Sequence, residues 1–248
     1  MKSLFAYILA LSVAASPLAA VDLDDMTDEQ REIFRSEVRS YLLEHPEVLN
    51  EAIEALQSRQ RVAQAEQDKT NIQDNADAIF NDGYSWVGGN PDGDITLVEF
   101  TDYRCGFCRR AHSEVNELIE SDGNIRFIVK EFPILGEQSE LSSRFAIAAL
   151  QLGGPNTYKA AHDALITMRG DLNAVAIQRL AATLGLDAAE VTDRMASDEV
   201  SAVINENRAL AQSMGISGTP TFILKNEMLR GYVPLNDMRL IVEDVRTN

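Results

Sequence analysis

Residues 95–112 read ITLVEFTDYRCGFCRRAH. Residues 95–100 form a short apolar run bounded by polar residues, the pattern of a buried strand. From residue 105 to 120 the spacing changes, and Ala111, Val115, Leu118 and Ile119 fall on one side of an expected helix. A strand therefore turns into a helix at Cys105. The chain has two cysteines in 248 residues, and both lie here, at 105 and 108. A bridge between them closes a very short loop, and the stabilisation given by a disulfide grows with loop length. The pair is poorly placed for cross-linking and well placed for chemistry.

A sulfur at the start of a helix meets unpaired backbone N–H groups and the positive end of the helix dipole, both of which favour a thiolate. Arg104, Arg109 and Arg110 are expected to add positive potential. A cysteine in such a setting titrates at ~3.5–7.5 rather than ~8.5. Cys105 is read as the attacking nucleophile. Cys108, nearly one turn on, is read as the resolving thiol that attacks a mixed disulfide at Cys105. Phe107 between them is expected to touch substrate. A competing reading takes Cys105, Cys108 and His112, which share a helical face, as Cu(I) ligands in a copper-binding periplasmic chaperone. Three ligands leave a tetrahedral zinc site unfinished, and nothing in the sequence brings His45 or His162 near. His112 is expected to be an exposed or capping helix residue. The expectation is no metal and no cofactor.

Outward from this stretch, residues 125–132 (IRFIVKEF) read as a second strand. Residues 137–214 are helical in pattern, punctuated by Gly153-Gly154-Pro155, Gly170 and Gly185. Residues 219–224 read as a strand entered through 215-GISGTP-220, followed by a turn at Asn226-Glu227, a partner strand over 228–232 and a helix over 236–245. A β-α-β unit and a β-β-α unit separated by helices can share one mixed sheet, which makes the class α/β.

Residues 1–20, MKSLFAYILALSVAASPLAA, have the charged start, apolar centre and small-residue exit of a cleaved secretory signal. An export signal with two cysteines points to an oxidising compartment. The net charge of −17 at pH 7 disfavours nucleic acid and anionic membrane surfaces as partners. Residues 21–83 have a different texture and are read as a helical arm. Thr27-Asp28-Glu29-Gln30 has the form of a capping box. Ile33, Phe34, Val38, Tyr41 and Leu42 then share a helical face, His45-Pro46 breaks the helix, and Leu49, Ile53 and Leu56 continue the stripe. Residues 57–78 hold few large apolar side chains and are expected to be a solvated spacer. Such a stripe must be buried against its own body or against a copy of itself, and a homo-oligomer is the expectation. The main domain is placed at residues 84–248.

The strand LVEFTDYRCGFCRRAH, the later GTPTF and the helices between them resemble the DsbA family of thioredoxin-fold oxidoreductases. The resemblance runs from about residue 84 to the C-terminus. It implies a thioredoxin fold with an inserted helical domain at about 137–214, here preceded by an N-terminal helical extension. It also implies that Glu99, six residues before the first cysteine, is a buried acid that helps deprotonate the resolving thiol. Thr219-Pro220 fits the family's cis-proline site, where the backbone of Thr219 pairs with substrate. The implied partners are cysteine-containing exported proteins and a membrane redox protein, in the periplasm. Where DsbA itself has Pro-His between its cysteines, this chain has Gly-Phe. That dipeptide and the arm look more like disulfide isomerases and the oligomeric ScsC-type branch.

Overall fold

The computed structural model describes residues 26–247; the expected signal peptide at 1–20 lies outside the described residues. The chain divides into two compact units, with the boundary between Arg59 and Gln60.

In the first unit, helix α1 (Asp28–Glu44) starts at the expected capping box. Thr27 Oγ1 accepts from the Gln30 amide at 3.3 Å, and Gln30 Oε1 accepts from the Thr27 amide at 2.9 Å. The helix stops at His45, and α2 (Glu47–Asp74) begins just after Pro46. No residue of α1 is buried. Ile33, Phe34, Val38 and Tyr41 are exposed, as are Leu49, Ile53 and Leu56 in the first half of α2.

The second unit begins at Gln60. Residues 60–80 lack an apolar stripe, but Ile72 and Ile79 are fully buried and Asp68 is buried with them. Ile72 of α2 and Ile79 of α3 pack on the sheet, and average composition hides them. After Asp74 come α3 (Ala76–Phe80), β1 (Trp86–Gly89), β2 (Ile95–Thr101), α4 (Gly106–Asp122) and β3 (Ile125–Glu131). Then follow α5 (Glu137–Thr167), α6 (Ala174–Thr183), α7 (Ala188–Met195), α8 (Asp198–Ser213), β4 (Thr221–Leu224), β5 (Glu227–Arg230) and α9 (Leu235–Thr247).

The sheet has the order β1-β3-β2-β4-β5, with β2 and β3 parallel and the other pairs antiparallel. This is the mixed α/β sheet the element order implied, with one strand more. β1 lies in the glycine-rich stretch 83-GYSWVGGNPDGD-94. It pairs with β3 all the same, and Gly88 is needed there because a Cβ would lie 2.0 Å from the Trp86 ring. Trp86 Nε1 donates to Pro155 O at 2.9 Å and its ring stacks on Tyr158. That contact ties the edge strand to the break in α5, where Gly154 takes a φ of 80°.

Strand alternation sorts the core. Leu97, Phe127, Val129, Phe222 and Leu224 face α4, α5 and α9, packing on Val115, Leu118, Phe145, Met238 and Val242. Val98, Phe100, Ile128 and Ile223 face the other way, onto Ile72, Ile79, Leu210 and Met214.

Candidate active site

Strand β2 delivers the chain to the site, and a buried carboxylate fixes the turn that follows. Asp102 Oδ1 accepts from the Arg104 amide (2.8 Å) and from Ser139 Oγ (2.7 Å). Its Oδ2 accepts from the amides of Ile134 (2.8 Å) and Leu135 (3.1 Å). One side chain thus locks the turn before Cys105 to the loop between β3 and α5. The sequence reading did not single out Asp102. An acid just beyond a buried strand and just before a helix was the available signal.

Cys105 is the N-cap of α4, with φ −74° and ψ 119°, and both thiols are free. It is 7% exposed and Cys108 is 1% exposed. The Sγ of Cys105 lies 3.1 Å from the carbonyl oxygen of Thr219, and the Thr219-Pro220 bond is cis. The Cys105 thiol is lowered to about 5. The Cys108 side chain contributes most; burial opposes it, and Thr219 and the amides of Cys108 and Phe107 add to it. Cys108 is pushed the other way, first by Cys105, then by burial and by the charge of Glu99. At neutral pH one sulfur is a thiolate and its neighbour a thiol. Phe107 is 61% exposed beside them.

The three arginines are engaged elsewhere. Arg104 donates to Gly170 O (3.0 Å) and pairs with Asp171, Arg109 donates to Tyr103 O (3.1 Å), and Arg110 lies over the Tyr232 ring. The helix start and the second thiol, rather than these side chains, account for the low value at Cys105.

Glu99 is buried on the α4 face of the sheet, in step with Leu97. Its carboxyl is raised to about 8, chiefly by burial, with the charges of Glu131 and Cys105 pushing the same way. Glu131 was not anticipated. It shares the face of Glu99, since Thr101 and Glu131 are paired in register. Two adjacent charged residues, Lys130 and Glu131, inside an otherwise apolar strand were the signal in the sequence.

His112 is half-buried rather than exposed. Its Nε2 lies 3.1 Å from Asp163 Oδ1, and its ring is 5.2 Å from that of His162, the histidine the sequence gave no reason to bring near. Helix α5 carries His162 there. Among the described residues no group of three or more His, Cys, Asp or Glu side chains is arranged to hold a metal ion.

A family model described as the DSBA-like thioredoxin domain matches residues 96–242, and one described as the copper resistance protein ScsC N-terminal domain matches residues 30–63. A thioredoxin-like oxidoreductase from Silicibacter pomeroyi is 41% identical, with a TM-score of 0.65 over 69% of this chain and 98% of that one. The thiol-disulfide exchange protein alpha-DsbA2 from Wolbachia pipientis is 28% identical, with a TM-score of 0.68 over 74% and 98%. Proteus mirabilis ScsC in a transitional conformation is 26% identical, with a TM-score of 0.65 over 91% and 99%. Curated relatives include a Na(+)/H(+) antiporter NhaA of Salinispora arenicola, 28% identical over 145 residues, of which the chain spans 22%. Among the described residues no helix is long and apolar enough to cross a membrane.

Proposed function

Because this chain belongs to the DsbA-like thioredoxin domain family, we propose that it is an exported protein thiol–disulfide oxidoreductase and isomerase acting on cysteine-containing proteins of the periplasm. The inequality of the two sulfurs carries this reading: Cys105 lowered to about 5, Cys108 raised and buried.

The Cys105 thiolate attacks one sulfur of a substrate disulfide. That bond breaks, one substrate thiolate leaves, and a mixed disulfide forms. In shuffling, a substrate thiol then attacks the mixed disulfide and returns Cys105 as a thiolate, with no net electron transfer. In reduction, Cys108 loses its proton to Glu99 and attacks Cys105. The Cys105–Cys108 bond forms, the second substrate thiolate leaves, and two electrons have passed to substrate. A membrane redox protein of the dithiol–disulfide class resets the pair. The Thr219 carbonyl beside Sγ offers backbone for an extended substrate segment, and Phe107 offers an exposed ring.

Shuffling is favoured by the Gly-Phe dipeptide and by the uncovered apolar stripe of α1 and α2. The match of residues 30–63 to the ScsC N-terminal model favours it too. A homo-oligomer through this arm would face several Cys105 sites toward one shared space. Copper binding at the same sulfurs has one support, the words "copper resistance" in the description of that model.

Pulsed alkylation of the reduced protein tests the core of the reading: Cys105 labels first near neutral pH, and preferential labelling of Cys108 overturns the assignment. Light scattering tests the arm. An oligomer is expected for the full chain, with loss of both assembly and disulfide unscrambling when residues 21–59 are removed; a full-length monomer at micromolar concentration rules the arm's role out. Cu(I) binding lost on Cys105→Ser or Cys108→Ser, with no glutathione exchange in the wild type, would favour copper instead.

A further inference from the structure

Behind the cysteines lies a row of buried polar groups that the exchange steps above leave unused. Glu131 is 3% exposed, and its Oε1 accepts from both Tyr103 OH (2.7 Å) and Tyr158 OH (2.6 Å). Tyr103 OH also lies 2.9 Å from His162 Nδ1. His162 is in ring contact with His112, and His112 pairs with Asp163, which is exposed to solvent and also held by Lys159. The row therefore runs from the Glu131 carboxyl to Asp163 through polar contacts, with the His162–His112 ring contact as its one wider step.

We propose that Glu131 is a positioning residue for the exchange reaction: it sets the protonation of Glu99, and the row Tyr103–His162–His112–Asp163 exchanges their shared proton with solvent. The proposal rests on the reading of Glu99 as the base for Cys108. Parallel pairing puts Glu99 and Glu131 on one face of adjacent strands, as diagonal neighbours: Glu131 is opposite Thr101, two residues after Glu99. Two carboxyls so close in a dry core do not both ionise readily, so they titrate as a pair. Burial raises both, Glu131 to about 7 with the charge of Asp102 adding to it, and Glu99 to about 8 with the charge of Glu131 adding to it.

The groups facing Glu131 are Tyr103, Tyr158, Ser143, Asp102 and Glu99, and none is a cation. Lys130 turns to the opposite face and bonds Ala78 O and Asp82, and Asn207 of α8 bonds the Glu131 carbonyl rather than its side chain. Both tyrosines are held far above their ordinary value by burial, so they remain donors. His162 is lowered to about 3 by burial and stays neutral. A neutral imidazole can take a proton at one nitrogen as it gives one from the other. When Cys108 attacks, its proton passes to Glu99. An equivalent proton then leaves the carboxyl pair through Tyr103, His162 and His112, each group giving one and taking one. The pair is back to its starting charge, and Asp163 or water holds the proton.

Glu131→Gln removes the second charge and should lower the titration midpoint of Glu99 by about one pH unit. Carboxyl-carbon NMR of labelled glutamate in the reduced protein reads this without any exchange activity. An unmoved Glu99 midpoint overturns the proposal, whereas a wild type that does not exchange disulfides overturns the functional reading instead. Should Glu131→Gln fail to fold, two milder variants serve. Tyr103→Phe and Tyr158→Phe each delete one hydrogen bond to the same Glu131 oxygen, but only the first also cuts the link to His162. At pH 7, release of a mixed disulfide by Cys108 should be about tenfold slower in Tyr103→Phe than in Tyr158→Phe, because only the first removes the hydroxyl that hands the proton from Glu131 to His162. Equal rates in the two variants would overturn the row as a proton path.

Discussion

Lys130 and Glu131 are consecutive residues of β3, both buried, and the two faces of the sheet treat them in opposite ways. On the α3 side, Lys130 pairs with Asp82 and donates to Ala78 O at 2.9 Å. Asp82 is answered in turn by the amides of Tyr84 and Ser85 and by Ser85 Oγ. On the α4 side, Glu131 has two tyrosine hydroxyls and a second acid but no cation. Ser143 Oγ stands near its other oxygen without hydrogen-bond geometry of its own. A buried charge with a full set of partners holds structure together. Buried acids left without a counter-charge keep a proton to give or take near neutral pH.

The largest effect should come from breaking the matched side. Asp82→Ala leaves the Lys130 ammonium buried with the Ala78 carbonyl and a long contact to Ser85 Oγ but no counter-charge, which should cost about 3–5 kcal/mol of stability. Denaturant melts at pH 7 measure this, and the pH profile of exchange should be unchanged in the folded fraction. A loss below about 1 kcal/mol would mean that Lys130 sheds its proton cheaply, erasing the contrast between the faces. Burial already lowers Lys130, and Asp82 only partly offsets it.

Glu99→Gln tests the unmatched side, where stability and function should part. Glu99 is raised from 4.5 to about 8, so the unfolded chain gives up this proton at lower pH than the folded one. The wild type therefore loses stability as pH climbs from 4.5 to about 8, relative to a variant with no acid there. Above that range the variant should be more stable by about 2–4 kcal/mol, and the two should converge below pH 4.5. Release of the mixed disulfide by Cys108 should slow about 100-fold, while alkylation of Cys105 stays close to wild type. Unchanged release across pH 6–8 would make Glu99 a tolerated acid.

How much of this was legible in the sequence follows from chain distance. Glu99, Cys105, Cys108 and the turn between them lie on one strand–helix junction, and period and offset bring them together. Glu131 and His162 reach the same place from β3 and α5, and a single sequence carries no signal of that meeting. Strand β1 was hidden because Gly88 and Gly89 serve ring packing and a tight exit rather than strand propensity. Residues 57–78 looked like a spacer because they hold few large apolar side chains, yet Ile72 among them and Ile79 just beyond are buried on the sheet. The apolar stripe of α1 was plain to read, and it remains uncovered among the described residues.

The smallest effect belongs to a third buried acid, which shows what a matched charge is worth when half of the pair meets water. Asp68 is buried in α2, with Arg230 of β5 on both its oxygens (2.8 Å from Arg230 Nη2 to Oδ1) and Gln64 on Oδ1 at 2.8 Å. Burial alone would raise this carboxyl, but Arg230 and Gln64 outweigh it and hold it below 3.8. The arginine side chain is 38% exposed, so solvent screens the pair. Arg230→Gln keeps Gln64 and some hydrogen-bonding reach, and should cost about 1 kcal/mol at pH 7. Because the folded value is depressed, this stability is present above 3.8 and is lost as pH falls through the folded value. Melts of wild type and variant should therefore draw together in acid, the reverse of the Glu99→Gln comparison, in which they separate as pH rises. A cost near that of Asp82→Ala would show that Asp68 is as dry as Lys130. It would then count the α2–β5 contact among the fully matched charges that hold the second unit together.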